Sequence, residues 1–335
     1  MPRRHAPRRG SLGYSPRKRA KSPRACIRNW PEYEGEEPTL LGFMGYKAGM
    51  THVFVQEERD YSPWSGQEIM RAATIIDLPP VIVAGIRGYK LTSYGFKSLG
   101  ECWASDFNPD LNRLLTLPKE TDAEKSLKQF EENVLSNVDV LRAFVHTQPR
   151  LVGGVPQKKP DLSEIALGYS SIEEGFEFAK ELLGKEVHAR DVFKEGQQID
   201  VLGVTKGKGF QGPVKRWGIK KLQHKSRKAV RAVGCIGPWT PTRVMWTVPR
   251  AGQMGFHQRT EYNKVILKLG EKGEEITPLG GFVRYGLIKG EYMMVDGSIP
   301  CPPRRLVFIR YAIRPKNIET KPNITYISVE SKQGD

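Results

Sequence analysis

A glycine-rich loop at residues 207–212 (GKGFQG) has the G-x-G-x-x-G spacing of a dinucleotide-binding turn. The preceding residues 198–205 (QIDVLGVT) predict the strand that this pattern requires. A dinucleotide site also needs a helix that begins at the last glycines and an acidic residue about 20 positions further on. Pro213 follows the loop, the next residues show no apolar face at helical spacing, and the next acidic residue after Asp200 is Glu261. The sequence therefore predicts no nucleotide cofactor. The glycines of the loop allow its backbone to approach a partner closely, and the lysines between them indicate that this partner is an anion.

Histidines and cysteines are the other residues that could do chemistry. His224 and His257 flank Cys235 in sequence, but residues 201–260 contain no carboxylate that could orient an imidazole for catalysis. We expect these histidines to contact phosphates or stack on bases rather than act as general bases. The four cysteines, at positions 26, 102, 235 and 301, are spaced 76, 133 and 66 residues apart, which fits no zinc motif. The sequence predicts no catalytic residue, no metal site, no cofactor and free reduced thiols.

Charge is strongly segregated along the 335-residue chain, whose formal net charge is +16. Residues 1–29 hold ten lysines and arginines, residues 201–260 hold thirteen, and neither segment contains Asp or Glu. The remaining positions carry 30 basic and 37 acidic residues, so the rest of the chain is mildly acidic. Basic residues concentrated in two segments favour a polyanionic partner that both segments contact. The chain has no run of 18 apolar residues, so no membrane span is predicted.

Aromatic residues are interspersed among the cations of the central basic segment. Phe210, Trp217, Trp239, Trp246 and Phe256 could stack on unpaired bases while lysines and arginines neutralise phosphates. Packing into the folded body is the alternative, and it is stronger for Trp246 and Phe256 than for Trp239. The surrounding Gly-Pro-Trp-Thr-Pro sequence predicts a rigid turn that holds the indole of Trp239 outward. We expect a segment of this kind to be mostly disordered until its partner binds.

The elements that position these segments are mainly strands. Strand patterns are predicted around a turn at 45–49, at 70–92, at 189–205 and at 262–269, and a hairpin is predicted at 281–295 around Lys289-Gly290. Residues 304–315 (RRLVFIRYAIRP) and 324–330 (ITYISVE) predict two further strands. Helices are predicted in DAEKSLKQFEENVLSNVDVLRAF (122–144) and, behind the capping box Ser171-Ile-Glu-Glu174, in residues 171–185.

These patterns divide the chain into six parts. They are a basic N-terminal arm at 1–38, a first β part at 39–104, a helical insertion at 105–188, strands at 189–205, a basic central extension at 206–260, and a last β part at 261–335.

Three blocks in the expected order carry a resemblance to a known family. They are GYKAGMT at 45–51, VTKGKGFQG at 204–212 and AGQMGFH at 251–257. With them, the whole chain resembles the universal large-subunit ribosomal protein three family, and the insertion and length resemble its archaeal and eukaryotic type. The resemblance implies a mainly β fold with an α+β insertion. It also implies a six-stranded translation-protein-type β-barrel with long irregular N-terminal and central extensions.

The same resemblance implies a function. Members of the family are not enzymes; they bind large-subunit rRNA beside neighbouring large-subunit ribosomal proteins in the cytoplasm and act early in subunit assembly. Their central extension approaches the peptidyl-transferase region with a tryptophan near its tip, which corresponds to Trp239 here. No membrane and no small-molecule substrate is expected.

The residues predicted to bind rRNA are the cations of the two basic segments with one tryptophan and one histidine. They are Arg3, Arg4, Arg8, Arg9, Arg17, Lys18, Arg19, Lys21, Lys206, Lys208, Lys215, Arg216, Lys220, Lys221, Lys225, Arg227, Lys228, Arg231, Trp239, Arg243, Arg250, His257 and Arg259. Two alternatives stay open on the sequence: an RNA-modifying enzyme with a basic docking arm, and a polybasic protein of membrane surfaces.

Overall fold

The computed structural model describes residues 7–33, 35, 37–59, 61–118, 122–226, 229–316 and 322–333. These residues form two compact units. One unit consists of Met1–Pro23 and Val204–Arg259 and holds most of the two basic segments; the other, the body, consists of Arg24–Gly203 and Thr260–Asp335.

Strands outnumber helices, which confirms the mainly β prediction. The strands are Thr39–Leu40 (β1), Gly42–Gln56 (β2), Glu68–Asp77 (β3), Val81–Thr92 (β4), Gly95–Trp103 (β5), Val140–His146 (β6), Leu162–Gly168 (β7), Glu186–Val187 (β8), Gln198–Val204 (β9), Phe210–Gln211 (β10), Gly252–Gln253 (β11), Gln258–Gly270 (β12), Tyr292–Asp296 (β13), Leu306–Tyr311 (β14) and Asn323–Ile327 (β15). The helices are Ala123–Asn133 (α1), Ile172–Leu182 (α2), Ala189–Val192 (α3) and Pro213–Trp217 (α4).

The larger sheet of the body is antiparallel and has the order β14-β9-β12-β13-β3-β2-β15. Strand β14 also pairs with β2, with Phe308 opposite Met44. The six strands from β14 to β2 in this order are therefore paired in a ring, and β15 lies outside it. Strand β2 can pass close to β3 because Gly45 lacks a side chain where a Cβ would meet Leu78 and Ile76. Buried aliphatic and aromatic residues from all six strands form the core.

One buried ion pair joins neighbouring strands of this sheet. Asp200 in β9 lies opposite Arg310 in β14, and the Arg310 Nη2 lies 3.1 Å from the Asp200 carboxylate. The same carboxylate accepts hydrogen bonds from the backbone amides of Asn263 and Ile313, and Arg310 also donates to the Asn29 carbonyl. Both charged groups are therefore fully partnered inside the body.

The second sheet has the order β1-β7-β6-β4-β5, with β8 paired to β4. Helices α1 and α2 are packed together through Phe130 and Phe176, whose stacked rings lie 5.4 Å apart. The predicted helix at 122–144 is only partly correct, because α1 ends at Asn133 and Val140–His146 forms β6. The β-branched residues after Asn137 favour a strand, and pairing with β4 and β7 satisfies the backbone there.

The hairpin predicted at 281–295 is wrong. Only Tyr292–Asp296 is a strand, and the preceding residues form a turn in which the Phe282 amide donates to the Gly286 carbonyl. Gly281 and Gly286 adopt φ values of 79° and 98°, which bend the chain instead of extending it.

This turn places Tyr285 against a buried carboxylate and produces a pH-dependent stability. The Tyr285 hydroxyl donates to Asp77 Oδ2 at 2.8 Å, and desolvation raises the pKa of Asp77 from 3.8 to about 6. A raised carboxyl pKa means that the folded state binds the proton more tightly, so stability falls as the pH rises from about 4 to about 6. We expect Asp77 to contribute a loss of roughly 3 kcal/mol over that window.

Chemical denaturation of the wild type and of Asp77→Asn at several pH values measures this contribution. The difference between the two free energies of unfolding should change steeply between pH 4 and 6 and level off above. A difference that does not depend on pH would show that Asp77 keeps an ordinary pKa.

Candidate nucleic-acid interface

The glycine-rich loop forms part of a two-stranded ribbon in the basic unit. Strand β10 pairs with β11, placing Phe210 opposite Gln253. The Lys208 amide donates to the Met254 carbonyl at 2.9 Å, and the Met254 amide donates back to the Gly209 carbonyl at 2.9 Å. Gly255 lies where a Cβ would collide with the Lys206 carbonyl oxygen, so glycine is required for this close approach. In a dinucleotide-binding turn the backbone amides point at a pyrophosphate. In this loop the backbone groups are used instead for pairing with the neighbouring strand.

A short helix follows the loop, contrary to the sequence prediction. Helix α4 begins at Pro213 and ends at Trp217, after which Gly218 adopts the left-handed conformation at φ 68°. Proline suits the first position of a helix and glycine its C-terminal end, and these local preferences outweigh the missing apolar face. The strand before the loop, β9, lies in an antiparallel sheet rather than a βαβ unit, so a dinucleotide fold is excluded on topology.

Trp217 is buried, so of the two alternatives for this residue packing is correct and base stacking is not. The residue is only 8% exposed, and its indole Nε1 donates to the Arg250 carbonyl at 3.0 Å. The Arg17 guanidinium carbon lies 3.7 Å from the ring centroid. Gly10 packs against the same ring, because a Cβ there would lie 2.6 Å from Trp217 Cε3. Trp217 therefore holds residues of the N-terminal arm against the central segment.

Hydrogen bonds extend this attachment along the arm. Arg17 donates to the Arg216 carbonyl at 2.6 Å, and Arg8 donates to the Thr247 carbonyl at 2.7 Å. The Ala20 amide donates to the Phe256 carbonyl at 2.8 Å. Burial lowers the pKa of Arg17, and the neighbouring Arg216 lowers it further. The described part of the arm up to Pro23 and the central segment thus form one unit, which the sequence did not indicate.

His257 belongs to the same attachment. The residue is 8% exposed, and its Nδ1 lies 2.8 Å from the Lys18 carbonyl. Burial lowers the pKa of His257, as do the nearby arginines, which favours a neutral ring. Its predicted contact with rRNA stays a prediction, while its observed contact is with the arm.

The remaining cations differ in exposure. Exposed side chains are those of Arg8, Arg9, Lys18, Arg19, Lys21, Lys206, Lys208, Lys215, Lys220, Lys221, Lys225, Arg231, Arg243 and Arg250. Arg17, Arg216 and Arg259 are partly buried, and Arg259 lies over the Tyr14 ring at 4.7 Å. Arg3, Arg4, Arg227 and Lys228 lie outside the described residues. The exposed set presents positive charge without a carboxylate in either segment of the unit.

Exposed aromatic rings accompany these cations. Trp239 is 92% exposed and Trp246 is 70% exposed, so the alternative that Trp246 packs into the protein is wrong. Phe210 is also exposed, whereas Phe256 is partly buried. Ile236 lies exposed just before the proline-rich turn that holds Trp239, and Val244 and Met245 lie exposed just before Trp246. These three residues were not among the predicted site residues, although they adjoin that turn. The arrangement can neutralise phosphates and stack on bases.

Comparison with known proteins identifies the family. A profile of ribosomal protein L3 matches residues 1–334. The chain belongs to the ribosomal protein L3 family. It is 52% identical over 334 residues to the large ribosomal subunit protein uL3 of Archaeoglobus fulgidus, covering 98% of this chain and 99% of that protein. It is 49% identical over 340 residues to uL3 of Methanothermobacter thermautotrophicus, with both chains covered completely. Its identity to uL3 of Methanocaldococcus jannaschii is 49% over 332 residues, 98% of each chain.

The described part of this L3 family chain contains neither a metal-binding cluster nor a membrane-spanning helix. Across the described ranges, no cluster of three or more His, Cys, Asp or Glu side chains is arranged to hold a metal ion. Among the same residues, no helix has the length and apolar character needed to cross a membrane.

The packing of Gly10 on Trp217 predicts the effect of adding one methyl group. Gly10→Ala places a side chain at φ 75° and 2.6 Å from the indole, so we expect the arm to lose at least about 1–2 kcal/mol of attachment. Trypsin should then cleave after Arg17, Lys18 or Arg19 roughly tenfold faster, because cleavage follows the open population.

Gly13→Ala is a matched control within the same arm. A Cβ at Gly13 would meet only Ser11 Oγ, at 3.3 Å, and Gly13 does not have a positive φ. Its cleavage should match that of the wild type. If Gly10→Ala is cut no faster than Gly13→Ala, this contact does not hold the arm.

Proposed function

We propose that this chain is a structural protein of the large ribosomal subunit that binds large-subunit rRNA. The observation that carries the proposal is the basic unit, in which 21 lysines and arginines and no carboxylate occur in residues 1–23 and 204–259. A protein surface that faces only water does not require such a composition, whereas a surface that binds a phosphate backbone does. The names of its L3 family relatives, which are large ribosomal subunit proteins, support the same conclusion.

The body provides the scaffold in this proposal. Six of its strands pair in a ring, which supports a six-stranded barrel of the translation-protein type. The fully partnered Asp200 and Arg310 fix the register of two of these strands, and β9 and β12 lead into the basic unit. A rigid scaffold allows the basic segments to enter rRNA without folding a core of their own.

The exposed cations position the protein, and RNA shape supplies the specificity. Phosphate contacts carry no sequence information, but narrow rRNA gaps admit a glycine-containing ribbon and exclude bulkier chains. The ribbon of residues 206–211 and 252–257 has this character, because Gly209 and Gly255 take left-handed conformations at φ 65° and 72°. The inward-facing Arg17, Arg216 and Trp217 fix the shape of the surface that the exposed cations present.

Trp239 is the residue proposed to act nearest the peptidyl-transferase region. Trp239→Ala removes a ring that is 92% exposed and lacks a ring-stacking partner among the described residues, so the protein should fold normally. Subunits that carry Trp239→Ala should assemble, but tRNA selection or peptide-bond formation should be slowed by roughly tenfold. A roughly tenfold effect is what the loss of one stacking contact is expected to cause.

Trp239→Phe and Trp246→Ala are the comparison variants. The first keeps an aromatic face and should retain most of the activity; the second removes the other exposed indole of the segment. Normal peptide-bond formation and tRNA selection with Trp239→Ala would refute the role at the tip.

Sucrose-gradient sedimentation of the tagged chain from its own cells tests the proposal as a whole. The chain should sediment with cytoplasmic large subunits and their other proteins, and it should enter early precursor particles. A chain found only in free or membrane fractions would refute it. The proposal assigns the chain no enzymatic activity; multiple turnover on rRNA with a methyl donor, lost on His224→Ala, would support the modifying-enzyme alternative instead.

A further inference from the structure

The tip of the β4–β5 hairpin is an exposed aromatic and basic surface in an otherwise acidic part of the chain. Residues 24–203 and 260–335 carry 32 basic and 37 acidic residues, yet residues 88–100 (GYKLTSYGFKSLG) contain two lysines and no carboxylate. This hairpin lies in the body, outside both basic segments.

The rings at the tip are presented to solvent. Tyr94, in the two-residue turn, is fully exposed, and among the described residues it has no ring partner. Leu91 and Phe96 face each other across the hairpin and are 61% and 50% exposed. Large apolar side chains concentrated at one protruding tip mark an interaction site more often than a solvated turn.

The Phe96 ring at the tip is held by contacts with its neighbours. Tyr89 contacts Phe96 with ring centroids 6.1 Å apart, and the Arg142 guanidinium carbon lies 5.2 Å from the Phe96 centroid. Arg142 is itself held by Glu164. A ring fixed in this way loses little conformational entropy when a base stacks on it.

The lysines at the tip indicate the charge of the partner. Lys90 and Lys97 are direct cross-strand partners, and like charges facing each other destabilise a hairpin. The arginines of this sheet are paired with Glu101 and Glu164, but neither lysine forms an ion pair with any described residue. The Asp139 carboxylate beside the tip accepts a hydrogen bond from the Leu91 amide at 2.6 Å and forms no ion pair with either lysine.

We infer that the β4–β5 tip is a third RNA-binding element, which takes unpaired nucleotides of large-subunit rRNA. Bases stack on Tyr94 and Phe96, and the lysines on the opposite face of the hairpin contact the flanking phosphates. The inference rests on the proposed function and extends it to a surface of the acidic body. A protein partner is the competing occupant, but it does not explain two unpaired lysines facing each other beside exposed rings.

Zero-length ultraviolet cross-linking locates the contact directly. The full chain is irradiated with its own large-subunit rRNA, transcribed in vitro, and digested with trypsin and nuclease. Cleavage after Lys90 and Lys97 releases residues 91–97 (LTSYGFK) as one peptide. A nucleotide adduct on Tyr94 or Phe96 is expected. Adducts confined to peptides of residues 7–23 and 204–259, or a cross-link from Tyr94 to another protein in intact subunits, would overturn the inference.

Matched variants test the energetics by filter binding to the same transcript. Tyr94→Ala should weaken binding roughly tenfold, and Tyr94→Phe should restore most of it. Because Tyr94 makes no described side-chain hydrogen bond, its loss should leave the folded state unchanged, as circular dichroism can verify.

The double substitution Lys90→Glu/Lys97→Glu separates RNA binding from protection of an edge strand. β5 is an edge strand, and lysines on such strands also prevent aggregation. Glutamates would keep that protection but repel phosphate. We therefore expect a soluble variant that binds the rRNA transcript more than tenfold more weakly than the wild type does. Wild-type affinity in this variant and in Tyr94→Ala would refute the third element while leaving the proposed function intact. A wild-type chain that does not bind the transcript would refute both.

Discussion

Raising the salt concentration from 50 to 200 mM should weaken binding of this chain to its large-subunit rRNA by about 10⁴–10⁵-fold. The reason is counterion release: if roughly ten of the exposed cations meet phosphates, the log–log slope of affinity against salt is about −7 to −9. The basic unit has 14 exposed lysines and arginines among its described residues, so this number of contacts is available. Filter binding of the full chain to the transcript over a series of salt concentrations gives the slope.

Charge-neutral variants show which cations produce the slope. Lys220→Gln/Lys221→Gln/Lys225→Gln removes three exposed charges of the basic unit and should make the slope shallower by roughly one per contacting residue. Lys128→Gln/Lys180→Gln/Lys185→Gln removes three equally exposed charges of the body and should change it little. A shallow wild-type slope, or equal effects of the two triple variants, would contradict binding through the basic unit.

Removing the buried carboxylate of the body should cost about 3–5 kcal/mol of unfolding free energy. Asp200→Ala leaves the Arg310 guanidinium without its anion at a site where the side chains are 4% and 0% exposed. It also leaves the amides of Asn263 and Ile313 without an acceptor. Unpaired buried charge is far more costly than a lost surface ion pair, because water cannot replace the missing partner.

Urea denaturation measures this loss, with Asp106→Ala as control. Asp106 is exposed and forms no ion pair with another described residue, so its removal should change stability by less than about 0.5 kcal/mol. Asp200→Leu/Arg310→Met removes both charges and should recover part of the loss, although the two amides stay unsatisfied. An Asp200→Ala variant as stable as Asp106→Ala would show that the pair does not support the register of β9 and β14.

The sequence alone was sufficient to predict the features that depend on composition and on short motifs. Charge segregation identified the basic segments, the strand patterns gave a mainly β fold, and the capping box at Ser171 placed α2. Prolines and glycine around Trp239 predicted its outward position, which the structure confirms. Each of these depends on neighbours in the chain, so a local pattern is sufficient to find it.

Tertiary structure alone decided which basic and aromatic side chains face solvent. Trp217 and Trp239 lie in similarly basic surroundings in the sequence, yet the first is buried under Gly10 and Arg17, about 200 residues away in the chain. Likewise, only strand pairing showed that residues 140–146 are not helical and that Lys90 faces Lys97. Burial and cross-strand contact are set by residues distant in sequence, and a single sequence contains no local signal for them.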